Sequence, residues 1–130
     1  MKRIISFILL SALILCCISS LVSCGTPNPD AEKAEANLKA KGYIVVTFPV
    51  GGKAGIERSF TATKYDENEN AVEWIQIFYI TDIADDVYDY IEGLFKEKEE
   101  EESNKDRKIE FGKKTGVIWF GTTNAVKDSQ

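Results

Sequence analysis

Residues 56–80 read IERSFTATKYDENENAVEWIQIFYI and contain the most informative strand pattern of the chain. Two segments rich in β-branched and aromatic residues, 56–65 and 71–80, flank a polar loop over residues 66–70. Such composition is typical of strands, and a short polar connection between two strands is typical of an antiparallel hairpin. The stretch therefore predicts two neighbouring antiparallel strands.

The segments on either side of this hairpin have helix and strand patterns of their own. Asn28 and Pro29 are expected to cap and begin a first helix, which Gly42 ends. Apolar residues recur at helical spacing over residues 82–99 and predict the clearest helix of the chain, which frays into an exposed charged loop after Lys96. The remaining predicted elements are a strand over 43–50, a second hairpin over 107–111 and 117–121, and a short helix over 124–129. This order predicts a two-layer α+β domain, in which a mostly antiparallel sheet of about five strands has its helices on one face.

The first hairpin also contains the candidate binding face. If Tyr65 lies opposite Ala71 and the pairing continues without interruption, Trp74 and Phe78 belong to the face that forms the core. The other face mixes polar and apolar side chains, as surfaces that meet a partner do. It consists of Thr61, Thr63, Glu73, Ile75, Ile77 and Tyr79. The alternative is that the protein covers this face itself, or that its apolar residues are ordinary exposed ones.

The N-terminus has the pattern of an export signal. Met1-Lys2-Arg3 is a short basic start, and residues 4–22 are almost entirely apolar. A secretory leader has this arrangement. A retained transmembrane helix is the alternative, because residues 4–22 could just span a hydrocarbon core of about 30 Å.

Leu21-Val22-Ser23-Cys24 resembles the lipobox of bacterial lipoproteins. The resemblance implies that Cys24 carries a diacylglyceryl group, that residues 1–23 are removed as a signal peptide, and that the protein is anchored on the extracytoplasmic side of the cell membrane. Residues 24–28 would then be the lipidated cysteine and its tether, and residues 29–130 a single domain. The ending VIWFGTTNAV, residues 117–126, resembles small uncharacterised lipoproteins of Gram-positive bacteria and implies no activity.

Composition excludes several classes of function. Without residues 1–23, 107 of the 130 residues remain, with 14 basic and 21 acidic side chains and a net charge of −7. Nucleic-acid binding is excluded, because neutralising phosphates requires clustered Lys and Arg. The chain has no histidine, so the Ser-His-Asp and Cys-His pairs of hydrolases cannot form. Catalysis by paired carboxylates stays open.

The loop Asp66-x-Asn68-x-Asn70 matches the first ligand positions of a calcium-binding EF-hand. Ala71 then stands where that loop needs glycine, and Ile77 stands where it needs a glutamate. The loop is therefore expected to use Asp and Asn for turn formation. No metal and no other cofactor is expected.

These observations predict a membrane-anchored, non-enzymatic binding module with a protein or peptide partner. A carboxylate-dependent enzyme of the cell envelope is the alternative function.

Overall fold

The computed structural model describes residues 25–48, 55–82 and 84–130. They form an α+β domain with three helices and a five-stranded antiparallel sheet, as predicted. The elements in chain order are α1 (Ala31–Ala40), β1 (Ile44–Phe48), β2 (Ile56–Tyr65), β3 (Ala71–Ile80), α2 (Asp85–Ser103), β4 (Glu110–Lys114), β5 (Val117–Gly121) and α3 (Thr123–Asp128).

The strand order across the sheet is β1-β2-β3-β5-β4, and every neighbouring pair is antiparallel. The two predicted hairpins, β2–β3 and β4–β5, are both present. Helix α2 connects them, so that β5 inserts next to β3 and β4 becomes one edge. Strand β1 is the other edge.

The helices cover both faces of the sheet, and the expectation of two layers with helices on one face was wrong in this respect. Helices α1 and α3 pack on one face, which we call the α1 face, through Ala34, Leu38, Ala125 and Val126. Helix α2 packs on the opposite face, the α2 face, through Ile91 and its neighbours. The physical reason lies in β3 and β5, whose side chains are apolar on both sides and need cover on both. All five residues of β5 are buried.

The first helix begins two residues later than predicted. Asp30, and not Asn28, is the N-cap, and its carboxylate accepts hydrogen bonds from the backbone N–H groups of Glu32 and Lys33 at 3.0 and 3.2 Å. Asn28 accepts a hydrogen bond from the N–H of Asp30 at 3.0 Å. Asp30 is the better cap because Asn28 is held by the C-terminus of the chain.

Helix α2 continues to Ser103, through the charged run that was expected to fray. Glu102 explains the difference, because its side chain is buried and lies 3.6 Å from Lys105 and 3.3 Å from Arg107. The guanidinium of Arg107 also donates to the carbonyl oxygen of Ala71 at 2.8 Å. These contacts hold the end of the helix against β3.

Strand β4 covers Glu110–Lys114, so it both begins and ends three residues later than the predicted 107–111, and the turn to β5 is Thr115-Gly116. Gly116 has a φ of 80°, which favours glycine. Gly112, expected in the turn, lies inside β4 because the ring of Trp119 occupies the space that a side chain would fill there. The packing of a cross-strand aromatic ring over this glycine thus shortens the turn of the hairpin to two residues.

The described residues contain no helix that is long and apolar enough to cross a membrane. The predicted signal peptide, the lipobox and Cys24 lie outside the described residues.

Candidate functional site

The pairing of β2 with β3 slips by one residue next to the loop. Tyr65 lies opposite Ala71, as expected, but Lys64 lies opposite Glu73, so that Val72 is an extra residue on β3. A one-residue slip moves every following side chain of one strand to the other face. The predicted faces are therefore exchanged for residues 58–64 of β2 relative to β3, up to a second register shift between Ile56 and Arg58.

The predicted binding face is divided by this bulge, and the idea of one open surface was wrong. Thr61 and Thr63 lie opposite Gln76 and Trp74 on the α2 face. The other four residues lie on the α1 face, where α1 and α3 cover the sheet. Ile75, Ile77 and Tyr79 are buried there, and half-buried Glu73 accepts a hydrogen bond from the Asn124 amide at 3.0 Å. The apolar members of the set serve the core.

A different surface is open on the α2 face. Ile44, Val46 and Phe48 of β1 pair with Thr63, Thr61 and Ser59 of β2 and point to this face. Their exposed fractions are 60, 52 and 44%. We call Ile44, Val46, Phe48, Thr61 and Thr63 the open strip, because none of them belongs to the cluster that packs against α2. The three β1 residues are exposed, and the two threonines are half-buried.

A groove of about 380 Å³ runs between the open strip and the C-terminal half of α2. Thr61, Thr63 and Gln76 form its floor, and Lys98, Glu101 and Lys105 stand along its helical side. Lys98 Nζ lies 2.7 Å from Glu101 Oε2, and this hydrogen bond lowers the pKa of Glu101 below its ordinary value of 4.5. The groove therefore presents both charges together with hydroxyl and amide groups.

Strand β1 is held in place from the other face of the sheet. Glu35 of α1 accepts hydrogen bonds from Arg58 of β2 at 2.6 Å and from Thr47 of β1 at 3.0 Å. Burial alone would raise the pKa of Glu35, but the hydrogen bonds from Arg58 and Thr47 outweigh it and the pKa lies below 4.5. A charged, nearly buried carboxylate thus ties the edge strand to its neighbour and to α1.

The acidic loop uses its side chains for the turn, as its departures from the EF-hand pattern predicted. Asp66 Oδ1 accepts hydrogen bonds from the backbone N–H groups of Asn68 and Asn70 at 2.8 and 2.9 Å. The hydrogen bond from Asn70 is the main cause that lowers the pKa of Asp66. Within residues 25–48, 55–82 and 84–130, no three acidic, Cys or His side chains cluster in a way that could hold a metal ion.

A comparison of the chain with protein-family models, curated proteins and solved structures finds no significant match.

The sequence contained a signal for the open strip that the prediction did not use. The sequence predicts a strand over residues 43–50 and assigns no binding face to it. Val45 and Thr47 point to the α1 face, whereas Ile44, Val46 and Phe48 point away from it. The signal lies in β2, where Thr61 and Thr63 alternate with the apolar residues Phe60 and Ala62, as expected for a strand with one face that has little cover.

Proposed function

We propose that the protein is a non-enzymatic binding module, anchored on the extracytoplasmic side of the cell membrane by lipid on Cys24, which binds an extended segment of a partner protein along strand β1. The partner would add a strand to the sheet edge, with main-chain hydrogen bonds for affinity and side-chain contacts for specificity.

The unprotected edge of β1 is the observation that carries this proposal. Strand β1 contains no charged residue and no proline. Among the described residues only β2 pairs with it, so its outer N–H and C=O groups have no strand partner there. Soluble proteins usually protect such edges with lysine, proline or a bulge, because a bare edge templates pairing with another chain. An uncharged edge that also exposes Ile44, Val46 and Phe48 therefore favours a binding role.

The groove beside the open strip gives the partner a second set of contacts. An added strand alternates its side chains, and every second one would point to the α2 face beside Ile44, Val46 and Phe48 of β1. Polar side chains of the partner could reach the ion pair of Lys98 and Glu101 at the helical side of the groove. We expect the segment to alternate apolar residues with polar ones.

Anchoring by Cys24 is supported by the basic start, the apolar run and the lipobox, which follow one another in the order that lipoprotein processing requires. Cys24→Ser should block acylation and leave an unprocessed precursor. Mass spectrometry of the membrane fraction measures both. An intact 1–23 segment without an acyl mass on the unsubstituted protein would contradict the anchor.

Site-specific photo-crosslinking tests the binding surface. A photoreactive amino acid replaces Ile44 in the membrane-bound protein, and a matched variant carries it at Tyr90 of α2, which is 67% exposed. We expect a discrete adduct with a second protein from position 44 and none from position 90. Val46→Lys in the same chain should remove the adduct, because a charge in the edge opposes strand addition.

Two results would contradict this proposal. Equal adducts from positions 44 and 90 would indicate random collisions. A single adduct at twice the mass of the protein would assign the edge to a second copy of this chain. The described residues provide no observation that favours the carboxylate-dependent enzyme, since Glu101 and Glu102 in the groove are both paired with cations.

A further inference from the structure

The segment that follows Cys24 is built into the domain and is not a free tether. Pro27 is fully buried. The backbone N–H of Asn28 donates to the carbonyl oxygen of Ser129 at 3.0 Å, and the carbonyl oxygen of Asn28 accepts a hydrogen bond from the hydroxyl of Tyr79 at 2.7 Å. Both backbone polar groups of Asn28 are thus paired, the N–H to the C-terminal segment and the carbonyl oxygen to the central strand β3.

Contact with α3 extends to the first described residue. At Gly25, an added side-chain carbon would lie 2.6 Å from Cγ1 of Val126, so the backbone of this glycine packs directly on α3. The C-terminal residue is held as well, because the Asn37 side chain donates to the Gln130 carbonyl oxygen at 2.6 Å. The chain therefore leaves the domain at a defined place.

That place lies at one end of the sheet. Residues Thr26 to Pro29 face the β4–β5 turn at Lys114 and Thr115 across a cavity of about 500 Å³. Val117, next to this turn, pairs with Tyr79, which binds Asn28. The Asp66–Asn70 loop is at the opposite end, because Tyr65 and Ala71 close the other end of the β2–β3 ladder.

We propose that the lipid on Cys24 holds the domain in one orientation, with the β4–β5 turn facing the phospholipid surface and the Asp66–Asn70 loop pointing away from it. Adjacent Cα atoms are about 3.8 Å apart, so no flexible peptide segment separates the lipid-bearing residue from the docked residues 25–28. Strand β1 then runs from a membrane-distal Ile44 to a membrane-proximal Phe48. This inference rests on the proposed lipid anchor.

Residues 25–28, which we call the docked segment, set this orientation, and the surface charge at this end of the sheet does not. Lys113 and Lys114 lie beside the β4–β5 turn and would favour an anionic surface. Asp82 and Asp85 lie at the same end of the sheet, next to the end of β3 and the start of α2, and oppose it. The orientation should therefore persist in vesicles of neutral phosphatidylcholine.

Fluorescence quenching in vesicles tests the orientation. The full chain is produced with Thr115→Cys, purified from membranes, labelled with a thiol-reactive fluorophore and reconstituted into phosphatidylcholine vesicles containing a nitroxide on the lipid headgroup. Asn68→Cys, in the loop at the other end, is the matched control. The unsubstituted protein serves as the labelling blank, because an acylated Cys24 has no free thiol. We expect the label at 115 to be quenched several-fold more than the label at 68.

An insertion variant tests the cause. A flexible Gly-Ser segment of about eight residues between Cys24 and Gly25 lets the domain rotate, so quenching at the two positions should become equal. If the difference persists with the insertion, the docked segment does not set the orientation and the inference is wrong. Equal quenching in the chain without the insertion, on protein that carries the acyl mass, would overturn the orientation alone. Absence of the acyl mass would overturn the anchor and the orientation together.

Discussion

The carboxylate of Glu35 lies 2.6 Å from Nη2 of Arg58, on the face of the sheet opposite the open strip. Glu35 also accepts the hydroxyl of Thr47 in β1, so one side chain of α1 joins the edge strand to β2. Strand β1, the proposed binding site, is therefore fixed by contacts on the opposite face of the sheet. A fixed edge loses less conformational freedom when a partner strand is added.

This arrangement predicts loss of stability in acid. The pKa of Glu35 is lowered in the folded protein, so its contribution is complete above the ordinary value of 4.5 and disappears as the pH falls through the lower folded pKa. Glu35→Gln should flatten this part of the pH dependence of the unfolding free energy. Glu57→Gln, at an exposed position of β2, is the matched control for the loss of one carboxylate. If the unfolding free energy of Glu35→Gln depends on pH as that of the unsubstituted protein does, Glu35 does not have this stabilising role.

The bulge at Val72 predicts opposite results for two similar substitutions. Ile77→Thr places a hydroxyl and a cavity in the core of the α1 face and should cost about 2–4 kcal/mol of unfolding free energy. Val46→Thr, on the open strip, keeps the shape of an exposed side chain and should change stability by no more than about 0.5 kcal/mol. Urea denaturation measures both. Equal effects would mean that Val46 is covered or Ile77 is not.

Alanine substitutions at Gly121 and Gly93 should have opposite effects on stability. A side-chain carbon at Gly121 would come within 2.6 Å of the Cα atom of Ile75, and backbone of a central strand cannot move aside. Gly121→Ala should cost at least about 2 kcal/mol. Among the described residues nothing lies within 4 Å of the corresponding position at Gly93 in α2, so Gly93→Ala should stabilise the helix by about 0.5–1 kcal/mol. Thermal denaturation distinguishes them, and a neutral Gly121→Ala would contradict the close approach of β5 to β3.

The Asp66 loop predicts a difference between its amide and alanine variants. Asp66→Asn keeps the oxygen that accepts the N–H groups of Asn68 and Asn70, whereas Asp66→Ala leaves both without this partner. The melting temperature should fall more for alanine than for asparagine. Calcium at millimolar concentration should leave the melting temperature of the unsubstituted protein unchanged, because a ligand stabilises only the state that binds it. A calcium-dependent rise that Asp66→Ala abolishes would establish a metal site.

The order of the elements could be read from the sequence because it depends on local patterns. Strand composition at 56–65 and 71–80, and the helical period of the segment that became α2, each reflect neighbours in the chain. Helix boundaries were less accurate for a tertiary reason. Helix α2 continues past Glu102 because Arg107 and Lys105 lie next to its carboxylate. Helix propensities of single residues do not reveal such contacts.

The candidate site could not be read in the same way. Thr61, Thr63, Ile75 and Ile77 were placed on one face by strict alternation, and the extra residue Val72 separates them. Because side chains in a strand alternate with a period of two, one bulged residue reverses the assignment of a whole strand. Nothing in the local sequence marks the bulge, and its position is set by packing on both sides of the sheet.

The sequence alone determined that this chain has an α+β fold with two antiparallel hairpins, and it predicts a leader and a lipid-bearing cysteine ahead of that domain. Three-dimensional packing was needed to show which faces are buried, that β1 is an exposed edge, and that Pro27 is buried while Asn28 binds Ser129. The reason is physical: a pattern of side chains specifies which surfaces need cover, whereas the register and the path of the helices decide which of those surfaces receive it.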